Sequence, residues 1–132
     1  MKPPSRRRKR AGRLRVSRLE RLPKTSFGKL VTRALGGGPA LGGVSILHES
    51  LPPRTELPTV THRRTTEWVY CTAGKMTAVL GGRRYALREG AVVLIPPGTP
   101  HKFRTGAGTC CAISIFHPAL KVGKGADIQT GP

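Results

Sequence analysis

The sequence predicts an all-β fold, a sandwich or barrel of short antiparallel strands, in the segment 44–120. Short runs of β-branched and other apolar residues recur along it, among them EWVYCTA, KMTAVL and AVVLIP. Turn residues separate the runs, such as Gly81-Gly82, which tolerates the positive φ of a two-residue hairpin. Strands at such spacing are typical of sandwiches and barrels. With 17 Gly and 12 Pro in the chain, turns are favoured over a helical bundle.

A chain of 132 residues is long enough for one domain. This length excludes a typical α/β barrel and a two-domain nucleotide-binding enzyme. No run approaches the roughly 18 apolar residues of a membrane span, and the N-terminus lacks the apolar stretch of a secretory signal. The three cysteines form no spaced disulfide framework, so we expect a reducing compartment and a cytoplasmic protein.

The positive charge is concentrated in the N-terminal part of the chain. The formal net charge is +18, from 24 Lys+Arg against 6 Asp+Glu. Residues 1–35 hold 13 of the basic residues and one acidic residue, Glu20, which gives them a net charge of +12. We interpret residues 1–43 as a basic, flexible extension ending in the linker GGGPALGG, and residues 121–132 as a C-terminal tail.

A short helix is predicted within the extension, over residues 26–35. Ser26 is a suitable N-cap, and Phe27, Leu30 and Val31 lie close to one helical face. The function of the extension stays open between nucleic-acid association through residues 1–35, a targeting leader and no selected function. The extension lacks interleaved aromatic residues and a known reading fold, so nucleic-acid binding is the lesser alternative.

Three side chains of the β-rich segment suit a metal ion: His62, Glu67 and His101. The first two flank the start of a strand in THRRTTEWVY, and the third follows a rigid Pro-Pro-Gly turn. Imidazole and carboxylate together suit Fe, Mn, Ni, Cu or Zn. Two histidines and one carboxylate would leave coordination positions open for a substrate or water.

The spacing of these residues resembles the two motifs of the cupins. Gly90, five residues, Pro96, one residue, Gly98, two residues and His101 match the second motif. Glu67, six residues and Gly74 match the second half of the first motif, with a histidine five residues before the glutamate. The chain is similar to single-domain small cupins with the conserved barrel of the cupin 2 type, over about residues 44–118.

The resemblance implies a jelly-roll β-barrel with a metal inside, in a homodimer. His62, Glu67 and His101 correspond by position to metal ligands of the family. The sequence departs from the motifs at two positions. The first histidine of the first motif falls on Val60, which cannot ligate a metal, and the asparagine that closes the second falls on Thr105. Four ligands are thereby reduced to three, a number that many catalytic sites use with water.

Two functions of different classes follow from the resemblance. The first is a metal-dependent enzyme of the oxygenase or isomerase type, acting on a small polar molecule. The second is a non-catalytic cupin, with or without metal, that binds a small molecule in the barrel. Arg64 is close in sequence to the expected ligands and is a candidate to bind an anionic substrate. A fold shared by many chemistries does not choose between these functions.

Overall fold

The computed structural model of the chain describes residues 14–38, 43–120 and 125–131. These residues form strands joined by turns and loops, with one short 3-10 helix. The expected flexibility of the first 13 residues and of half of the linker GGGPALGG, residues 39–42, concerns positions outside the described residues. The helix is Leu19–Arg21, and the strands are β1 Thr25–Phe27, β2 Leu30–Gly38, β3 Val44–Leu51, β4 Val60–Thr61, β5 Thr66–Ala73, β6 Lys75–Leu80, β7 Arg83–Arg88, β8 Val92–Ile95, β9 His101–Arg104, β10 Cys110–His117 and β11 Gln129–Thr130.

The strands form two antiparallel sheets, which confirms the all-β prediction. One sheet has the order β1-β2-β3-β10-β5-β8, and the other has the order β11-β4-β9-β6-β7. Gly81-Gly82 joins β6 to β7 with both residues at positive φ, as predicted for a two-residue hairpin. Strands distant in sequence, such as β3 and β10, become neighbours, so the fold depends on long-range pairing.

Alternating burial along the strands defines the barrel interior. On β5, Glu67, Val69 and Cys71 are buried and the residues between them are exposed. Successive side chains of a strand point to opposite faces, so these three face the same side. The main apolar core consists of Val69, Cys71, Met76, Ala78, Leu87, Ile95, Cys110 and Ala112.

The prediction of a helix over residues 26–35 is wrong, because β1 and β2 form a hairpin there. Gly28, at φ +58°, reverses the chain between the two strands. Val31 and Arg33 then lie opposite Ser50 and His48 of β3. β-branched residues suit a paired strand. Hydrogen bonds to β3 also stabilise the backbone of β2, whereas a short isolated helix is only marginally stable.

The sheets also take strands from outside the segment 44–120. β2 pairs with β3 along nearly its whole length. Its first residue, Leu30, is buried beside Leu51 and Leu57. From the predicted C-terminal tail, β11 pairs with β4. Among the described residues, no helix has the length and apolar character needed to span a membrane.

Candidate metal centre

Both sheets contribute to one cluster of polar side chains inside the barrel. Glu67 is on β5 of the six-stranded sheet, whereas His101 begins β9 of the five-stranded sheet and His62 directly follows β4. Each offers a ligand atom within 4.8 Å of the others, and all three residues are buried. The structure therefore brings together the three residues that the motif spacing singled out, in an arrangement that positions them to bind a metal.

The carboxylate of Glu67 stands between the two imidazole rings. Its Oε1 atom is 3.3 Å from Nε2 of His62 and 3.3 Å from Nε2 of His101. The ring centroids of the two histidines are 5.0 Å apart. Two ligand atoms that each lie about 2.1 Å from one ion, at a tetrahedral angle, are about 3.4 Å apart. The spacing of these donor atoms thus fits a shared metal ion.

The other nitrogen of each ring is held by a backbone carbonyl. Nδ1 of His62 lies 2.7 Å from the carbonyl oxygen of Asp127, and Nδ1 of His101 lies 2.8 Å from that of Thr99. A carbonyl oxygen only accepts hydrogen bonds, so each Nδ1 carries a proton. In a neutral ring the Nε2 lone pair then points at the Glu67 carboxylate. Two Nε2 lone pairs that face the negative Glu67 carboxylate repel it unless positive charge lies between them. That charge is supplied either by a metal ion or by protons on the rings.

The charges of the cluster also stabilise it without a metal. Burial on its own would raise the pKa of Glu67, but hydrogen bonds from His101 and His62 outweigh burial and lower this pKa. Burial would lower the pKa of His62, but its bonds to Glu67 and the Asp127 carbonyl outweigh burial and raise it. Both shifts favour an ion pair. Protons and a metal ion therefore compete for the same donor atoms.

Aromatic rings restrict the orientation of both histidines. Phe116 packs edge-on against His62, with ring centroids 5.8 Å apart. Phe103 does the same for His101 at 6.1 Å. With one nitrogen of each ring bonded to a carbonyl, these contacts leave the imidazoles one orientation, with Nε2 toward Glu67.

The segment after His62 is held by Asp127 from the C-terminal part of the chain. The carboxylate accepts hydrogen bonds from the backbone N–H groups of Arg63, Arg64 and Thr65 at 2.8–3.1 Å. Burial opposes ionisation of Asp127, but these bonds outweigh it and lower its pKa to about 2. Asp127 positions His62 through its own carbonyl as well. No local pattern of the sequence marks this residue as part of the centre.

The two departures from the cupin motifs have different surroundings. Val60 lies directly opposite His101 across the β4–β9 pair, so it adjoins the cluster and supplies no ligand. Thr105 is buried away from it, where its hydroxyl accepts a bond from the Thr55 backbone N–H and donates to the Pro52 carbonyl. Thr105 therefore stabilises the loop after β3.

The predicted substrate-binding residue Arg64 lies beside the centre in sequence, and its side chain is exposed. Its backbone N–H binds Asp127, as described above. The role of its side chain toward an anionic substrate stays a prediction.

Sequence reasoning missed one further ionisable residue of the interior. Glu49 on β3 shares its inward face with Leu47 and Leu51, while His48 lies on the opposite face. Ser114 donates a hydrogen bond to the Glu49 carboxylate. The available signal was the period of two in a strand, which places Glu49 of VSILHESL on the same face as Leu47 and Leu51.

Solved structures of the same fold resemble the chain. An ectoine synthase from P. lautus is 21% identical, with 82% of this chain and 80% of that chain covered and a TM-score of 0.71. The polyketide cyclase RemF from Streptomyces resistomycificus is also 21% identical, with 79% and 78% covered and a TM-score of 0.68. Pac13, a nucleoside dehydratase, is 12% identical, with 90% and 92% covered and a TM-score of 0.72. At such identities the likeness shows the fold alone.

No curated protein matches the sequence significantly. The family model of the cupin domain matches residues 47–116, a span that contains every residue of the cluster and both motifs. The two facing sheets agree with the jelly-roll barrel of the similar structures. The chain belongs to the cupin family.

Proposed function

We propose that this cupin binds a divalent transition metal through His62, Glu67 and His101 and holds a small polar molecule in the barrel beside it. The observation that supports this most is the pair of imidazole Nε2 atoms, each 3.3 Å from the same carboxylate oxygen. A backbone carbonyl oxygen lies at the Nδ1 atom of each ring, and metal-bound histidines are commonly oriented by such a hydrogen bond.

The donor set of two imidazoles and one carboxylate suits Fe, Mn, Zn, Ni or Cu. When bound, such an ion supplies Lewis-acid polarisation of a substrate oxygen. The chain's own groups hold the ligands in place and keep solvent away. His62, Glu67 and His101 are each no more than 5% exposed, so the described part of the chain shields them from bulk solvent.

We favour an enzyme of the oxygenase or isomerase type. The similar solved structures include an ectoine synthase, a polyketide cyclase and a nucleoside dehydratase, and these enzyme names support a catalytic function. The alternative is a non-catalytic cupin, with or without metal, that binds a small molecule in the barrel. Val60 favours the alternative, because an apolar side chain stands opposite His101 at the position of a family ligand.

Three further features belong to this proposal. We propose a homodimer, in which a second copy covers exposed apolar side chains of the six-stranded sheet. We propose a cytoplasmic location, which agrees with three free cysteines in the described part of the chain. Nucleic-acid association through residues 1–35 is a lesser alternative that rests on the net charge of +12 of this segment.

The metal proposal predicts that untagged protein binds close to one equivalent of a divalent transition metal. His101→Ala removes one of three ligands and is expected to weaken metal binding at least about 100-fold. The measurement is elemental analysis of purified protein, followed by calorimetric titration of chelator-treated protein with Zn²⁺, Mn²⁺ and Fe²⁺.

His117→Ala is the matched control, because His117 is exposed at the end of β10 and has no part in the cluster. It is expected to bind metal as the wild type does. If no metal binds to the wild type after reconstitution, or if His101→Ala binds it equally well, the metal proposal is wrong and the metal-free alternative stands.

A further inference from the structure

The outer face of the five-stranded sheet is basic. Successive side chains of a strand point to opposite faces, and on β6 the buried Met76 and Ala78 point into the barrel. Lys75, Thr77 and Val79 therefore point outward. The strand register places the outward residues of β7 and β9 beside them, so that one face collects five cations, which we call the basic face: Lys75, Arg84, Arg88, Lys102 and Arg104.

The cations of the basic face are neighbours across the strands. Lys75 lies directly opposite Arg88, whereas Arg84 and Lys102 lie on either side of Val79. Adjacent strands are about 4.8 Å apart, and residues two positions apart on a strand are separated by about 6.6 Å. These spacings are below the Debye length of about 8 Å at physiological ionic strength. The charges therefore combine into one positive potential over the face.

This positive charge is only partly neutralised. Among the described residues, Glu56 alone forms ion pairs with the basic face, 3.5 Å from Nζ of Lys102 and 3.7 Å from Nη1 of Arg104. The other three cations are exposed and have no acidic partner within the described part of the chain. Five basic residues and one acidic residue leave the face with a net charge of +4.

The arrangement of these cations opposes stability. Like charges that lie directly opposite each other on paired strands destabilise the pair, and Lys75 and Arg88 are such a pair in the β6–β7 hairpin. A neutral or acidic residue at either position would stabilise the hairpin. A charge pattern that lowers stability is typical of a surface that serves to bind a ligand of opposite charge.

The dimensions and composition of the basic face fit the phosphate backbone of a nucleic-acid duplex. The face extends about 13 Å along β7, from Arg84 to Arg88, and about 10 Å across the strands from β7 to β9. A duplex carries one phosphate charge per about 1.7 Å of its axis, so about 13 Å of it presents about eight charges. The uncharged outward residues of the three strands, all of which the structure describes, are Thr77, Val79 and Ala86.

These three uncharged residues argue against other anionic partners. None is aromatic, so the bases of a single strand have no ring of this face to stack on. None is a large apolar side chain of the kind that inserts into a lipid surface. A duplex, whose bases are already stacked and whose outer surface is charged, requires neither contact.

We propose that the basic face binds the phosphate backbone of double-stranded nucleic acid, without preference for base sequence. The lysine and arginine side chains would contact phosphates and release the cations condensed on them. The site is separate from the metal cluster in the barrel interior and from residues 1–35. It is also separate from the exposed Trp68 and Leu94, which belong to the other sheet, so a dimer formed there leaves the basic face accessible.

The test uses the full-length protein and fluorescently labelled DNA duplexes of two unrelated sequences, with fluorescence anisotropy measured over a series of NaCl concentrations. The double variant Arg84→Gln/Arg88→Gln removes two exposed cations. It is expected to reduce the slope of log K against log[NaCl] by about 2 and to weaken binding about 10-fold or more at low salt. Both sequences are expected to be affected equally, because no base edge is contacted.

The double variant Lys24→Gln/Lys29→Gln is the matched control. It removes the same charge at two exposed positions beside β1, outside the basic face and within the basic segment 1–35. Its affinity for duplex is expected to stay within about 3-fold of the wild type. Thermal unfolding checks the fold of both variants, and the midpoint is not expected to fall in Arg84→Gln/Arg88→Gln, because the variant relieves the repulsion from Lys75.

The possible outcomes separate this inference from its rivals. If Arg84→Gln/Arg88→Gln binds duplex with the affinity and salt slope of the wild type, or if the lysine control loses as much affinity, the inference is wrong. It is also wrong if the wild type binds a single strand, or vesicles of phosphatidylserine, more tightly than duplex. Metal content is measured on the same preparations, so a failure of the metal proposal is recognised independently of duplex binding.

Discussion

Two carboxyl groups on inward faces of the barrel strands differ in pKa because their neighbours differ. Glu67 receives hydrogen bonds from His101 and His62, which outweigh burial and lower its pKa. Glu49 has Ser114 as its partner, so burial prevails and its pKa rises to about 8. Hydrogen bonding therefore favours the anion at Glu67, whereas burial favours the protonated form of Glu49.

The pKa of Glu49 predicts a pH dependence of stability. A pKa raised from 4.5 to about 8 on folding stabilises the fold fully below pH 4.5, and this stabilisation is lost as the pH rises through 8. Between these values chelator-treated wild type should lose on the order of 3–5 kcal/mol of unfolding free energy that Glu49→Gln does not lose. Urea unfolding at a series of pH values measures the difference.

Glu56→Gln is the control for loss of a carboxylate elsewhere, because Glu56 is exposed and pairs with Lys102 and Arg104 on the outer surface. Parallel pH profiles for the wild type and Glu49→Gln would contradict a buried, protonated Glu49.

At the scale of elements, the turn between β5 and β6 depends on one glycine. Gly74 has φ +79°, and a Cβ atom there would overlap the carbonyl oxygen of Thr109 and lie 3.0 Å from Cα of Cys110. Gly82, in the turn between β6 and β7, has a similar φ of +82° and no atom within 4 Å of its Cβ position. Both glycines have a left-handed backbone conformation, but only Gly74 lacks room for a Cβ atom.

This pair predicts unequal effects of the same substitution. Gly82→Ala should cost about 1–2 kcal/mol of unfolding free energy, from the left-handed backbone alone. Gly74→Ala should cost at least about 2 kcal/mol more, because β5 and the segment before β10 must separate. Thermal and urea unfolding of the two variants measure both values, and equal losses would show that the close approach at Gly74 is absent.

At the scale of the whole molecule, the six-stranded sheet exposes apolar side chains on its outer face. Leu94, Trp68, Ile115 and Ile46 are aligned across β8, β5, β10 and β3 by the strand register. Trp68 is 39% exposed and Leu94 is 55% exposed. A continuous apolar row on a small domain is typical of a contact between subunits. A second copy of the chain is the occupant that we propose.

The proposed homodimer predicts that Trp68→Glu is monomeric, because a charge at the centre of an apolar interface stays unpaired when buried. Sedimentation velocity at micromolar concentration is the measurement, with circular dichroism to check folding. Tyr85→Glu is the matched control, since Tyr85 is 42% exposed and lies on the other sheet. A monomeric wild type, or a dimeric Trp68→Glu, would contradict the prediction.

Patterns among residues that are close in sequence account for the parts of the fold and of the candidate site that could be predicted from the sequence. Strand alternation and turn residues depend on neighbours a few positions away, so they indicated the all-β class and the β6–β7 hairpin. The spacing of Glu67, Gly74 and the second-motif residues placed three ligand candidates, which the barrel brings within 4.8 Å. The helix predicted over 26–35 failed because pairing of β2 with β3 outweighed a weak local preference.

Contacts between distant residues settled what the sequence left open. His62 is oriented by a carbonyl 65 positions away, and Ser114 meets Glu49 across the same separation. By itself the sequence determined the fold class, the family motifs and the identity of the three clustered residues, because these follow from composition and spacing. The tertiary structure alone decided which ring nitrogens face Glu67 and which carboxyl group has a raised pKa, because burial and hydrogen bonding exist only once the two sheets have packed.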